Sequence, residues 1–229
     1  MVCMSRFKSV ALDGPSGAGK STLAKKTAEH FGFIYVDTGA LYRCVGLFAF
    51  RNDVDSLDKD NVVALLPGIK LEMEYDADGV QRMFLNAEDV TDAIRMPEIS
   101  KYASDVSAMP EVREFLLNMQ RDMAARYDVV MDGRDIGTVV LPNAGLKIFI
   151  TADVDIRAER RYLELIGKGV TISFDEVKAS MITRDKNDSE RDTAPLKAAD
   201  DAVVLDTTGL NFEESYLAIC SLVTGRFGL

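Results

Sequence analysis

A glycine-rich segment near the amino terminus constrains the fold of this chain more than any other feature. Residues 14–21 read Gly-Pro-Ser-Gly-Ala-Gly-Lys-Ser and match the pattern G-x-x-x-x-G-K-[ST]. Such glycines let backbone N–H groups face a phosphate, the lysine adds positive charge, and the serine hydroxyl can ligate Mg²⁺. An apolar run precedes the segment and a helical pattern over 20–31 follows it, ending at Gly32. This context favours a P-loop over an ordinary glycine-rich turn.

The rest of the chain alternates short apolar runs with helical patterns, which is typical of an α/β core with a mostly parallel sheet. We therefore predict the fold of a P-loop kinase core, with a five-stranded parallel sheet flanked by helices. A helix from about residue 212 closes the chain. The predicted strands are 7–12, 33–36, 128–131, 146–150 and 202–205.

Two segments interrupt this alternation. Over 67–93, alternating apolar and polar residues flank the turn sequence Asp-Ala-Asp-Gly at 76–79, which predicts a small antiparallel β insertion with one wet face. Over 153–195, a predicted helix at 155–166 is followed by a second helix, which opens with a capping box at 173–176 and whose end Pro195 marks. We expect both segments to belong to a single domain spanning residues 1–229.

The charge of the chain limits the ligands that it can bind. With 27 Lys and Arg against 37 Asp and Glu, the net charge is −10, which argues against a protein that coats nucleic acid. A phosphate ligand then requires a local concentration of arginines. The second interruption offers them at helical spacing: Arg157, Arg160 and Arg161 on one helix, and Arg184 and Arg191 with Asp188 on the next. The alternative, a solvated helix face with pairs such as Arg184–Asp188, is equally compatible with the spacing.

Other classes of protein are disfavoured by what the sequence lacks. No apolar run approaches the ~18 residues of a membrane span, and the apolar stretch of residues 1–9 is too short for a signal peptide. Three widely spaced cysteines, Cys3, Cys44 and Cys220, favour reduced thiols and a cytoplasmic location. The one histidine, His30, argues against a His-based metal site or a Ser-His-Asp triad.

Two observations bear on which kind of P-loop protein this is. The N-K-x-D motif by which GTPases recognise guanine does not occur in the sequence. Asp132 follows the predicted strand 128–131 and so lies at the carboxyl edge of the sheet, where open α/β proteins bind their ligands. It can hold the Mg²⁺ shell through water, or it can simply cap the next turn. A kinase acting on a small-molecule hydroxyl and a regulatory nucleotide switch remain the alternatives at this point.

The sequence resembles the bacterial-type cytidylate kinase family over nearly its whole length. The resemblance rests on residues 13–21, 37–43, 85–90 and 132–138, and on Arg184-Asp185 followed by Asp188, Arg191 and Pro195-Leu196. It implies a P-loop core, an acceptor-binding β insertion at 67–93 and a mobile lid at 153–195. Two departures are small: Ala87 stands where the family more often has Gly, and Thr38, where some members have Ser, keeps a hydroxyl.

The resemblance implies a monomeric, Mg²⁺-dependent enzyme that phosphorylates CMP and dCMP with ATP, without nucleic-acid or membrane partners. The alternative is a P-loop kinase acting on another nucleotide, UMP, or on a small-molecule hydroxyl. The implied ATP-binding residues are Gly14, Pro15, Ser16, Gly17, Ala18, Gly19, Lys20, Ser21 and Thr22. Mg²⁺ would be held by the Ser21 hydroxyl and, through water, by Asp132.

The resemblance also implies roles for residues around the acceptor and the transferred group. Those implied for the acceptor phosphate are Thr38, Arg43 and Arg134. Those implied for the cytosine are Ser104, Arg113 and Asp135, and those for the ribose are Arg184 and Asp188, with Arg184 also reaching phosphate. Those implied for catalysis are Lys20 and three arginines that close over the phosphoryl group, Arg157, Arg161 and Arg191.

The chemistry of cytosine supports the role implied for Asp135. Cytosine presents an N4 amino donor where uracil presents an O4 acceptor, so a carboxylate accepts from the first and repels the second. A substrate that leaves a buried polar group of the site without a hydrogen-bond partner can be rejected strongly. The alternative is that Asp135 forms an ion pair with Arg113 or Arg134, and the two interpretations are compatible.

Overall fold

The computed structural model describes residues 7–167 and 169–229, so the expectations for Cys3 and for residues 1–6 lie outside it. None of the helices in these ranges is long and apolar enough to cross a membrane. The strands are β1 (Ser9–Asp13), β2 (Ile34–Asp37), β3 (Leu71–Tyr75), β4 (Gln81–Leu85), β5 (Glu88–Asp89), β6 (Val129–Asp132), β7 (Leu146–Thr151) and β8 (Val203–Asp206). The helices are α1 (Lys20–Phe31), α2 (Thr38–Arg51), α3 (Lys59–Leu65), α4 (Pro97–Val106), α5 (Pro110–Arg126), α6 (Val154–Gly167), α7 (Phe174–Glu190) and α8 (Phe212–Phe227).

The five predicted core strands form one parallel sheet in the order β2-β6-β1-β7-β8. This confirms the predicted fold class, and each strand lies within two residues of its predicted bounds. Leu23 of α1 and Ile219 of α8 pack in the core on one face, and Ala124 of α5 packs in the core on the other. The carboxyl ends of parallel strands share one edge, so the segments after β1, β2, β6 and β7 meet there.

The β insertion is a separate antiparallel sheet in the order β3-β4-β5. Gln81, Met83 and Leu85 are buried, while the residues between them are half-buried, which agrees with the predicted alternation. The short strand β5 adds a third strand to the expected hairpin. The buried residues pack into a second core with α2 and α4. The β insertion, α2 and α4 therefore share a hydrophobic core of their own.

The second interruption folds as the two helices α6 and α7, which share a small apolar cluster of Ala158, Val177 and Met181. The capping box predicted at 173–176 is present and opens α7. The expected continuation of this helix toward Pro195 is wrong, because α7 ends at Glu190 and Arg191 takes an extended conformation. Arg191 therefore leaves the helix axis and points where helical spacing does not predict.

Candidate active site

The P-loop wraps tightly at the carboxyl end of β1. Gly14, Gly17 and Gly19 have φ values of 146°, 74° and 80°, a region that side-chain-bearing residues rarely adopt. A Cβ at Gly14 would collide with the carbonyl oxygen of Ile150, and one at Gly17 would lie 2.5 Å from Met181 Cε. Strand β7 and helix α7 therefore pack against the loop, and they leave no room for a side chain at Gly14 or Gly17.

Lys20 is buried at the start of α1, where its ammonium group donates a hydrogen bond to the carbonyl oxygen of Pro15 at 2.6 Å. Burial and the positive charges of Arg134 and Arg184 hold the pKa of Lys20 well below its ordinary value, although Asp132 acts in the opposite sense. A cation that is destabilised in this way gains most from a bound anion.

Arg184, one of the two arginines whose charge acts on this lysine, is itself close enough to three other arginines to be affected by their charge. Burial, followed by the charge of Arg134, lowers the pKa of Arg184 to about 10, and Arg43 and Arg161 contribute in the same direction. The Nε atoms of Arg184 and Arg43 are buried without a hydrogen-bond partner among the described residues. An acidic chain thus concentrates positive charge beside its P-loop, which is the arrangement that a phosphate ligand requires.

Helix α6 does not direct all of its arginines to this cluster. Arg157 is buried, donates to the carbonyl oxygen of Ser16 at 3.0 Å and pairs with Asp185 at 2.6 Å, so it links α7 to the P-loop. Arg160 instead donates to the Thr207 carbonyl oxygen at 2.9 Å, after β8. The interpretation that all three arginines of this helix converge on one anion is therefore wrong for Arg160. Arg161 lies partly exposed, 2.7 Å from the carboxylate of Glu164.

Asp132 and Ser21 lie together between the P-loop and the end of β6. The Ser21 hydroxyl donates to Asp132 Oδ2 at 2.7 Å, and the Tyr35 hydroxyl donates to Asp132 Oδ1 at 3.1 Å. Burial, with the charge of Asp37, raises the pKa of Asp132 to about 6. The side chain therefore faces the P-loop and does not cap the next turn. A hydroxyl beside a carboxylate suits Mg²⁺, which usually takes few protein ligands and completes its shell with phosphate and water.

The residues at the end of β2 form the next part of the site. The Thr38 hydroxyl donates to the Asp132 carbonyl oxygen at 2.8 Å. Asp37 caps α2 by accepting the Ala40 N–H at 3.1 Å, and it pairs with Arg43 at 2.6 Å. The backbone N–H of Asp37 donates to buried Gln81 of the β insertion at 2.8 Å. Asp37 and Gln81 have no role in the sequence predictions, although an aspartate directly before a helical run is a recognisable capping signal.

Asp135 lies after β6 between two arginines. One oxygen pairs with Arg113 and the other lies 3.3 Å from Arg191 Nη2, and all three side chains are buried. The alternative of an Asp135 ion pair is thus correct for Arg113 and wrong for Arg134. The resemblance implies that Arg191 closes over the phosphoryl group, but in this structure it lies beside Asp135. Burial, followed by the charge of Arg113, lowers the pKa of Arg191.

Arg134 turns instead toward α7, where its Nε donates to Asp188 Oδ2 at 2.9 Å. Burial opposes the ionisation of Asp188, but the charges of Arg134 and Arg184 outweigh it and lower the pKa of this carboxyl. Asp188 is therefore hydrogen-bonded to Arg134 and not to Arg184, the partner named in the alternative of a solvated helix face. Ser104 lines a neighbouring cavity of about 320 Å³ together with Asp188 and Arg191.

Asp13 connects the end of β1, where the P-loop begins, to the segment after β6. Its carboxylate accepts the backbone N–H groups of Ile136 and Gly137, both at 2.7 Å. These residues begin a short π-helix, Ile136–Val140, directly after Asp135. Burial raises the pKa of Asp13 to about 6 despite these hydrogen bonds. Sequence reasoning assigned Asp13 no role, and its position between an apolar strand and the P-loop was the available signal.

Comparison with known proteins agrees with this geometry. Residues 10–224 match the family model for cytidylate kinase. The chain is 49% identical over 205 residues to a cytidylate kinase from Caldicellulosiruptor bescii, covering 90% of each chain. It is 47% identical to one from Streptococcus pneumoniae, covering 90% of this chain and 92% of the relative. Among solved structures, an uncharacterised protein from Eubacterium ventriosum shares the fold with a TM-score of 0.54 and 13% identity, covering 96% of this chain and 99% of the other.

Proposed function

The chain belongs to the cytidylate kinase family, and we propose that it transfers the γ-phosphoryl group of ATP to the phosphate of CMP. The products are CDP and ADP. The observation that carries the proposal is the gathering of Lys20, Arg134 and Arg184 beside a P-loop in a chain of net charge −10. Asp135, with the hydrogen-bonding character that cytosine requires, lies on the same edge of the sheet.

We assign the donor to the P-loop side. Residues 14–22 would wrap the ATP phosphates, and Lys20 would exchange its bond to the Pro15 carbonyl oxygen for the β- and γ-phosphates. Ser21 and Asp132 would hold Mg²⁺, the serine through its hydroxyl and the aspartate through water. Bound there, Mg²⁺ would neutralise charge on the phosphate oxygens.

We assign the acceptor to the segments after β2 and β6 and to the β insertion, 67–93. The proposed phosphate contacts are Thr38, Arg43 and Arg134. Ser104, Arg113 and Asp135 would contact the cytosine, and Arg184 and Asp188 the ribose of CMP or dCMP. Arg184 would also reach the acceptor phosphate, which is supported by its unpartnered Nε.

The residues 153–195 would act as a lid. Arg157 and Arg161 on α6 would neutralise charge on the transferred group, and Met181 on α7 packs against the P-loop. Arg157 is already held at the loop by the carbonyl oxygen of Ser16. Closing over both substrates would exclude water and so suppress hydrolysis of ATP.

The proposed chemistry needs no general base. The acceptor phosphate has a second pKa of about 6 and is largely a dianion at neutral pH. One of its oxygens would attack the γ-phosphorus while the bond to the β,γ-bridging oxygen breaks, and ADP leaves with that electron pair. His30 is exposed and lies against Phe31, so it has no part in this step. Positioning and charge neutralisation carry the catalysis.

A coupled assay of ADP release tests the proposal. ADP should appear with ATP and CMP together and not with ATP alone, and dCMP, UMP and AMP define the acceptor range. Lys20→Ala should abolish transfer while the fold is kept, and Lys25→Ala, an exposed lysine on the same helix, is the matched control. Slow hydrolysis that ignores CMP would identify a nucleotide switch, and turnover with UMP or with a small-molecule hydroxyl alone would identify another kinase.

A further inference from the structure

Ser107, between α4 and α5, contacts both arginines that hold Asp135. Its carbonyl oxygen accepts a hydrogen bond from Arg113 Nη1 at 3.1 Å, and its hydroxyl oxygen lies 3.3 Å from the donor Arg191 Nη1. The same hydroxyl donates to the Ser104 carbonyl oxygen at 2.8 Å. One residue therefore links three of the residues around the cytosine-reading carboxylate: its side chain contacts Arg191 and Ser104, and its backbone contacts Arg113.

Arg191 is fully engaged in this arrangement. Its Nε donates to the Ala194 carbonyl oxygen at 2.7 Å, its Nη1 to Ser107 and its Nη2 to Asp135. Ala194 has a φ of 51°, a left-handed conformation that folds the chain after α7 back over the arginine. Each of the three guanidinium nitrogens thus donates one hydrogen bond, and the direction of the group toward Asp135 depends on these partners.

We propose that Ser107 is a positioning residue that determines the preference for cytosine over uracil. By fixing Arg113 and Arg191 on the two oxygens of Asp135, it sets the direction in which the remaining lone pairs of this carboxylate point. Those lone pairs accept from the N4 amino group of cytosine and repel O4 of uracil. The role rests on the proposed function, since it concerns the acceptor of that reaction.

The expected effect of removing the Ser107 hydroxyl differs from that of removing a group that only stabilises the fold. Removing the hydroxyl frees Arg191 to swing away from Asp135, so that the carboxylate can rotate and its lone pairs no longer converge on the amino group. The loss falls on CMP, whereas UMP, whose O4 the aligned carboxylate repels, loses no favourable contact. The ratio of kcat/KM for CMP to that for UMP is therefore the informative quantity.

Ser107→Ala should lower this ratio about tenfold, the size expected for one hydrogen bond to a charged group. Ser107→Thr keeps a hydroxyl and should retain most of the ratio. Ser100→Ala is the matched control, because it removes a serine hydroxyl from α4 that bonds to the Met96 carbonyl oxygen. An unchanged ratio in a folded Ser107→Ala protein would overturn the role, as would a Ser107→Thr protein that loses the ratio equally.

Arg191→Lys tests the same hydrogen bond from its other end and covers the case in which Ser107→Ala does not fold. It should also lower the ratio, and the double variant should lose less than the product of the two single losses. Independent effects would overturn the link between the two side chains. CMP and UMP dissociation constants, measured by calorimetry, distinguish failure of the Ser107 role from failure of the proposed function. A wild-type protein that neither binds CMP nor releases ADP with it overturns the proposed function as well.

Discussion

Replacing Gly17 with alanine tests the close packing of helix α7, part of the proposed lid, on the P-loop. Gly17 has a φ of 74°, and an L-residue held there costs about 1–2 kcal/mol. The new Cβ would lie 2.5 Å from Met181 Cε and 3.1 Å from the Arg157 carbonyl oxygen. Forcing Met181 from its rotamer adds about 0.5–1.5 kcal/mol. We therefore expect the free energy of unfolding to fall by roughly 1.5–3.5 kcal/mol and Tm to fall by roughly 3–14 °C.

Thermal unfolding and CMP-dependent ADP release measure the two consequences. Because the added methyl group displaces α6 and α7 from the loop, kcat should fall together with stability. Gly167→Ala is the control, since a Cβ at Gly167 meets no atom within 4 Å. Met181→Ala removes the contacting methyl, so the Gly17→Ala/Met181→Ala protein should lose less than the sum of the single losses. A Gly17→Ala protein as stable and active as wild type would refute the packing described above.

Three further outcomes are expected. Asp135→Asn should narrow the CMP-over-UMP preference in kcat/KM, and an unchanged ratio would show that Asp135 does not read the base. Arg161→Ala should reduce kcat more than CMP affinity, and the opposite pattern would place Arg161 in acceptor binding. The pKa of folded Asp13 is raised from 3.8 to about 6, so its proton is held more tightly in the folded state and the free energy of unfolding should fall as pH rises through this interval. In Asp13→Asn the part of that fall due to Asp13, on the order of 3 kcal/mol, should be missing from denaturant titrations at a series of pH values, while the part due to Asp132, whose pKa is also raised to about 6, remains. An unaltered pH dependence would contradict the assignment.

Sequence patterns predicted the segments whose conformation is dictated locally. Helix α1 begins at Lys20 and ends at Phe31 as predicted, because Gly19 and Gly32 take left-handed conformations at its two ends. The capping box at Ser173 is likewise a local device. The central strands β1 and β6 read as nearly continuous apolar runs because both of their faces are buried.

Segments that depend on tertiary packing were not predictable in the same way. No helix is predicted over 38–51, because α2 is buried on much of its surface and shows no single apolar stripe. Gly46 within it looks like a helix breaker, but a Cβ there would lie 2.9 Å from Tyr102 Cβ. The glycine is the point at which α2 and α4 cross closely.

The directions of charged side chains were the least predictable part of the site. Helical spacing groups Arg160 with Arg161, yet Arg160 turns to the Thr207 carbonyl oxygen and Arg161 toward Glu164. The partners lie 47 residues away in one case and three in the other, and sequence spacing carries no information about the first. The pairing of Asp135 with Arg191 depends similarly on where α7 ends.

The two backbone N–H groups held by Asp13 have a consequence for how substrate range can change. The carboxylate of Asp13 joins β1, which leads into the P-loop, to the turn that carries Asp135. These two segments are therefore held in a fixed relation to each other. The distance that the phosphoryl group must cross is then set by these buried hydrogen bonds at the edge of the sheet. Substitutions in the outer helices are therefore expected to leave that distance unchanged.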